Sequence, residues 1–254
     1  MKKYAICQVS VSPLRSAAAD SSEMVSQVLF GEKAEILEEL EKWSKIRLAY
    51  DGYEGWVDPK QFLIISEKEY NQDLDEKFAI NAYNQASENG LPFTLTLGAE
   101  LRALKENKIR IGEKCFEYYG VYTSAKKSKE QLVELAKLYL NVPYLWGGKS
   151  TFGIDCSGLT QQVYKMGGYE LPRDAYQQAE LGEVLSFVEE AEPGDLAFFD
   201  NADGKIIHVG IVLGDYRIIH AHGKVRIDPF DSNGIFNTDL QKYSHKLRFI
   251  KKVI

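Results

Sequence analysis

The chain has 254 residues, enough for one large domain or two to three small ones. With 44% hydrophobic and 27% charged residues it has an ordinary globular composition, and a formal net charge of −6 argues against a nucleic-acid binder, which presents a basic face. No apolar run approaches the roughly 18 residues needed to cross a bilayer.

The N-terminus, Met1-Lys2-Lys3-Tyr4-Ala5-Ile6-Cys7-Gln8, has two lysines but no apolar stretch behind them, so it does not read as a signal peptide. A cytoplasmic protein is expected, with a leader trimmed away as the alternative. The cysteines are Cys7, Cys115 and Cys156. This count suggests no disulfide framework, and no Cys-x-x-Cys pair suggests structural zinc, so no cofactor or metal is expected.

Residues 1–65 read as short strands. Trp43-Ser44-Lys45-Ile46-Arg47-Leu48 alternates with period two, Asp51-Gly52 is a hairpin signal, and Tyr53-Glu54-Gly55-Trp56-Val57 returns before Asp58-Pro59. With Leu14-Arg15, the segment 27–31 and above all Gly55-Trp56-Val57, this order of features resembles a bacterial SH3-like barrel. Residues 66–125 also read as strands: Phe93-Thr94-Leu95-Thr96-Leu97 alternates up to Gly98, and later strands fall at 108–112 and 116–122. A second, divergent SH3-like barrel is expected there, or a β insertion of another kind.

From residue 126 the pattern changes. Ser128-Lys129-Glu130-Gln131 is a capping box, followed by Leu132, Leu135, Ala136 and Tyr139 at helical spacing and a stop at Asn141-Val142-Pro143. A second helix follows Cys156, with Leu159, Val163 and Met166 on one face and Gly167-Gly168 at its end. Strands come next, over 196–199, 206–213 and 217–221. Helices before an antiparallel sheet make residues 126–254 an α+β domain.

A nucleophilic cysteine needs a stabilised thiolate, a base in reach, and a group that orients the base. Cys156 opens a helix, whose positive end favours a thiolate and predicts a lowered pKa. His208 lies in an apolar strand with Gly210 clearing space on the same face. His220, in the next strand, shares that face only if the connection has three residues or a bulge; His222 has the same parity, so alternation alone leaves the two open.

The motifs Tyr144-Leu145-Trp146-Gly147-Gly148, Asp155-Cys156-Ser157-Gly158-Leu159, Leu171-Pro172-Arg173, Glu192-Pro193-Gly194-Asp195-Leu196 and His208-Val209-Gly210-Ile211 stand in the order of the NlpC/p60 family of cysteine peptidases, and the chain resembles that family over about half its length. The resemblance implies a papain-like catalytic domain preceded by one or two small SH3-like barrels. It implies Cys156 as nucleophile, His208 as base and His220, in Ile219-His220-Ala221, as the third residue. Its substrates are murein peptides, cut between γ-D-glutamate and a diamino acid.

The Cys156 N–H and the Tyr144 hydroxyl are candidates for the oxyanion hole, although a tyrosine after Pro143 can also simply pack. The order of barrel and peptidase resembles a subgroup that trims free murein peptides with an N-terminal L-alanine. For that amine Asp155, Ser157, Glu23 and Tyr53 are candidates. Glu23 also reads as a solvated surface charge and Tyr53 as a turn residue. Trp146 joins the substrate-binding candidates. Arg173 is offered to the D-glutamate carboxylate, against an ion pair with Asp174. A monomer is expected. The rival readings are a hydrolase of intact wall, another thiol chemistry on the same scaffold, and a wall-binding module without activity.

Overall fold

A computed structural model describes residues 2–72, 74 and 76–254; residues 1, 73 and 75, within the N-terminal and middle regions as read from sequence, lie outside the described residues. The chain divides into two compact units, the first holding residues 1–125 and 146–153 and the second 126–145 and 154–254.

The first unit opens with seven strands: β1 (Lys3–Cys7), β2 (Val11–Arg15), β3 (Met24–Leu29), β4 (Lys33–Glu39), β5 (Ser44–Leu48), β6 (Glu54–Val57) and β7 (Phe62–Ile65). They form one antiparallel sheet in the order β3-β2-β6-β5-β4-β1-β7. Alternate side chains, among them Cys7, Leu14, Val28, Ile46 and Val57, fill its SH3-like core. Gly55 sits where a Cβ would stand 2.7 Å from Leu14 Cγ, so the Gly55-Trp56 pair reflects a close approach of β6 to β2.

A single helical turn, α1 (Glu67–Tyr70), is closed by a Ser66–Glu69 capping box. It precedes β8 (Lys77–Ala79), β9 (Tyr83–Glu88), β10 (Leu91–Thr96), β11 (Lys108–Ile111), β12 (Lys114–Tyr118) and β13 (Tyr122–Ser124). Four of these form a sheet in the order β10-β9-β12-β11, and β13 pairs with β8. This region shares a core with the first: Tyr4, Ile6, Phe30 and Ile65 pack among Leu95, Ile109, Phe116 and Tyr118. The segment 146–153 belongs to the same unit, with β14 (Lys149–Ser150) and the start of β15 (Gly153–Ile154). Buried Lys149 donates its backbone N–H to Gln27 Oε1 at 2.8 Å and its ammonium to Glu32 at 3.1 Å.

The second unit holds α2 (Lys129–Lys137), with the Ser128–Gln131 capping box in place, and α3 (Cys156–Met166), every residue of which is buried. The short α4 (Ala175–Gln178) follows. Then come β16 (Glu183–Leu185), β17 (Leu196–Asp200), β18 (Ile206–Gly214), β19 (Arg217–His222), β20 (Lys224–Asp231), β21 (Gly234–Asn237) and β22 (Lys242–Lys252). The strands run β16-β22-β17-β18-β19-β20-β21, and β21 pairs back onto β22, closing β17–β22 into a six-stranded antiparallel barrel. Phe199, Val212, Ile218, Phe230 and Ile235 fill one face of it, and α3 packs against β18 and β19.

Candidate active site

Two elements of the second unit converge on Cys156. One is the N-terminus of α3, where Asp155 is the N-cap and its carboxylate accepts the Gly158 N–H at 2.6 Å. The other is β18: the Cys156 sulfur takes a hydrogen bond from the backbone N–H of Val209, the residue after His208.

The hairpin of β18 and β19 turns through Asp215 and Tyr216, both at positive φ, with a bulge between Val212 and Gly214. Beyond the bulge Ile211 pairs with Ile219 and Val212 with Ile218, a register that puts His208, Gly210 and His220 on one face. A Cβ at Gly210 would stand 3.0 Å from the His220 Cβ. Gly210 therefore leaves His220 room to reach along the face, and His208 Nε2 and His220 Nδ1 are 2.9 Å apart. His222 shares the face, but it is His220 that bonds His208.

The line continues past His220, and here the structure adds residues the sequence reading did not single out. His220 Nε2 is 3.0 Å from Asp228 Oδ2, and Arg226 donates to both oxygens of that carboxylate, at 2.6 and 2.8 Å. The register of β19 with β20, His220 opposite Arg226, places Asp228 on the same face. Alternation in Lys224-Val225-Arg226-Ile227-Asp228 was the available signal: Val225 and the polar pair Arg226/Asp228 take opposite sides. His245 of β22 stacks on His208 with ring centroids 4.0 Å apart.

Burial, and next the neighbouring His220, His245 and His222, hold His208 well below the ordinary histidine value; burial also lowers His220, against the pull of Asp228. Burial works to raise the Asp228 carboxyl, but the bonds from His220 and Arg226 outweigh it and keep it below the usual carboxylate range. Burial and then the charge of Asp155 push the Cys156 thiol up to about 12. This corrects the expectation that the helix terminus alone would lower it. The Val209 and Ser157 N–H groups and Arg173 pull the other way without prevailing. The arrangement favours a neutral thiol and a neutral His208 imidazole.

Tyr144 lies close enough to feel Cys156: its phenol is pushed up to about 12, first by burial and then by negative charge at Cys156 and Asp155. Ser157 donates to Asp155 at 3.4 Å. Arg173, only 1% exposed, pairs with Asp155: its Nη1 and Nη2 reach the two Asp155 oxygens at 3.0 and 2.7 Å, and Nη1 also reaches Ser157 Oγ at 2.9 Å. Its planar fork thus holds a carboxylate of the protein at two points. In the first unit the exposed Trp146 donates its indole N–H to Glu23 Oε1 at 2.6 Å, and half-buried Tyr53 packs on the barrel core with its backbone N–H on Asp51.

His208, His220 and His245 bring ring nitrogens within 4.8 Å of one another, a spacing able to hold a metal ion. Two of those nitrogens already bond each other and the remaining His220 nitrogen is taken by Asp228, so the set fits a hydrogen-bonded chain better than a metal. No helix among the described residues is long and apolar enough to cross a membrane.

Residues 141–243 match the NlpC/P60 family, and residues 14–62 match the bacterial dipeptidyl-peptidase SH3 domain. The chain is similar to the gamma-D-glutamyl-L-lysine dipeptidyl-peptidase of Bacillus subtilis (strain 168), with 30% identity over 214 residues covering 77% of this chain and 71% of that one. It is 26% identical over 262 residues to the protein of the same name from Bacillus cereus (strain ATCC 10987 / NRS 248), covering 91% and 77% of the two chains. A crystal structure of an NlpC/P60 family protein from Bacillus cereus ATCC 10987 shares the fold, with a TM-score of 0.83 at 22% identity over 98% of this chain and 99% of that one. From its similarity along most of both chains to a relative at 30% identity, the chain belongs to the NlpC/P60 family and is a peptidase.

Proposed function

We propose that the protein is a cysteine peptidase that cleaves the bond between γ-D-glutamate and a diamino acid in murein peptides carrying a free N-terminal L-alanine, and that it serves the recycling of such peptides in the cytoplasm. The observation that carries this reading is the bond of His208 to His220, with the Cys156 sulfur bonded to the backbone N–H of the residue after His208. The relatives named for γ-D-glutamyl-L-lysine cleavage support the bond type.

In the reaction His208 takes the thiol proton as sulfur attacks the γ-carbonyl carbon. The oxyanion is received by the Cys156 N–H and the Tyr144 hydroxyl. The tetrahedral intermediate collapses with cleavage of the C–N bond, and His208 returns its proton to the leaving amine. Water, deprotonated by His208, then cleaves the thioester and restores the thiol. Substrate selection is assigned to Glu23, Tyr53 and Trp146 of the first unit and to Asp155 and Ser157 of the second. Arg173 acts by holding the Asp155 carboxylate. Residues 66–125 are proposed to be a second SH3-like module, and the chain to act as a monomer.

The deciding experiment incubates the protein with L-Ala-γ-D-Glu-L-Lys, its diaminopimelate counterpart and their N-acetylated forms. Release of the free diamino acid from the unacylated peptides is expected, abolished by Cys156→Ala. Equal rates on acylated peptides would remove free-amine selection. Release of ammonia or acyl transfer without bond cleavage would favour another thiol chemistry. Tight binding to intact sacculi that Cys156→Ala leaves unchanged, with no turnover, would favour a wall-binding module.

A further inference from the structure

The line of bonds through the two histidines has a direction, set at its far end. Asp228 is fully buried and accepts at both oxygens: Arg226 Nη2 and Thr238 Oγ1 on Oδ1, Arg226 Nε and His220 on Oδ2. An ionised carboxylate has only acceptor sites, and the two-point contact of Arg226 needs that ionised form. His220 must therefore carry its proton on Nε2 and donate it to Asp228. A neutral imidazole has one N–H, so His220 Nδ1 is then an acceptor. His208 Nε2, 2.9 Å away, must be the donor to it. The one His208 nitrogen left with a lone pair is Nδ1, and Cys156 is bonded to the residue next to His208.

We propose that Asp228, braced by Arg226, is a positioning residue that acts through His220 to keep the His208 proton on Nε2, leaving Nδ1 as the base for Cys156. This rests on the reading of His208 as the base. When the S–H bond breaks and its proton moves to Nδ1, His208 becomes an imidazolium with both N–H groups already pointing at acceptors, the thiolate and His220. No other proton moves, and Asp228 stays an anion throughout. Without the acceptor at 228, His220 is free to take its other tautomer, with N–H on Nδ1. His208 Nε2 then becomes an acceptor and its Nδ1 carries the proton, so the base faces the thiol with no lone pair.

The test has two readouts. The first is 15N NMR of histidine-labelled protein, with four histidines in the chain. His208 is expected to be protonated on Nε2 in the natural protein and to populate the Nδ1-protonated form in Asp228→Ala. A His208 ring that stays Nε2-protonated in that variant overturns the proposal. The second is a mutant cycle on turnover. Asp228→Ala is expected to lower kcat by about 10²-fold with KM little changed, since a misplaced proton forfeits general-base catalysis. Starting instead from His220→Gln, the same change is expected to cost under about 3-fold. An amide turned with its oxygen to His208 has no tautomer to lose. Equal losses in the two backgrounds point to a merely structural role and overturn the proposal. Should Asp228→Ala not fold, Asp228→Asn, assayed with the same two readouts, takes its place. Full activity of His208→Ala would bring down the underlying reading instead, whereas an inactive His208→Ala beside an unimpaired Asp228→Ala would bring down the positioning role alone.

Discussion

Removing the carboxylate of Asp155 should destabilise the second unit severely, by an amount the geometry sets. Asp155 does two jobs there: it caps α3 through the Gly158 N–H, and it pairs both oxygens with Arg173, the two side chains being 8% and 1% exposed. Asp155→Ala gives up a cap, about 1 kcal/mol, and removes the main anion facing a buried guanidinium, about 3–5 kcal/mol. The total of roughly 4–6 kcal/mol is a large share of the stability of a domain that holds about 5–15 kcal/mol. Much of the cost lies in the buried guanidinium losing this carboxylate, so Asp155→Ala combined with Arg173→Met should recover more than half of it. The assay is urea unfolding followed by far-ultraviolet circular dichroism, because α2 and α3 lie in this unit whereas Trp43, Trp56 and Trp146 all lie in the other. If the single and double variants unfold at the same urea concentration, the pair has no coupling and the reasoning fails.

Three further outcomes follow from the same site. Tyr144→Phe should lower kcat about 10²-fold if its hydroxyl serves the oxyanion; turnover near that of the natural protein would return Tyr144 to a packing role. The Cys156 thiol, pushed up to about 12 by burial and by Asp155, should be alkylated by iodoacetamide at pH 7 more slowly than free cysteine. Peptide-resolved mass spectrometry separates it from Cys7 and Cys115, and a faster rate would mean a preformed thiolate. Burial, helped by His220 and His222, lowers His245 to about 4. The unfolded ring binds its proton from about pH 6.5 downward, so the folded state loses stability as pH falls from there toward 4, with the same sign for His208 and His220. Unfolding measured at pH 7 and pH 5 should show that loss, and His245→Gln should make it smaller; an unchanged slope would exclude His245 as a contributor.

What could be read in advance depended on whether a feature is periodic. The capping box at Ser128 and the face of Leu159, Val163 and Met166 are local patterns, and α2 and α3 follow them. Strand parity allowed His208 and His220 to share a face given a bulge, and the bulge at 212–214 supplies it. Asn89-Gly90, both at positive φ, is a hairpin signal of the same local kind and connects β9 to β10. The partner of Arg173 was not readable. That Arg173 reaches Asp155 follows from the path of an irregular loop, which no periodicity encodes.

The place of His245 was hidden for a more specific reason. Nothing in its own strand marks it, since Tyr243-Ser244-His245-Lys246 reads as an ordinary polar edge. It reaches His208 only because β22 pairs with both β17 and β21, so that closure of the barrel brings residue 245 to the end where residue 208 stands. That closure depends on Gly234, which sits at φ +133, where its Cβ would stand 1.8 Å from the His245 carbonyl oxygen. A side chain at 234 would force β21 off β22 beside His245. The stacked ring beside the proposed base, and the burial that keeps both rings neutral, therefore trace back to a glycine that looks in sequence like one more turn residue.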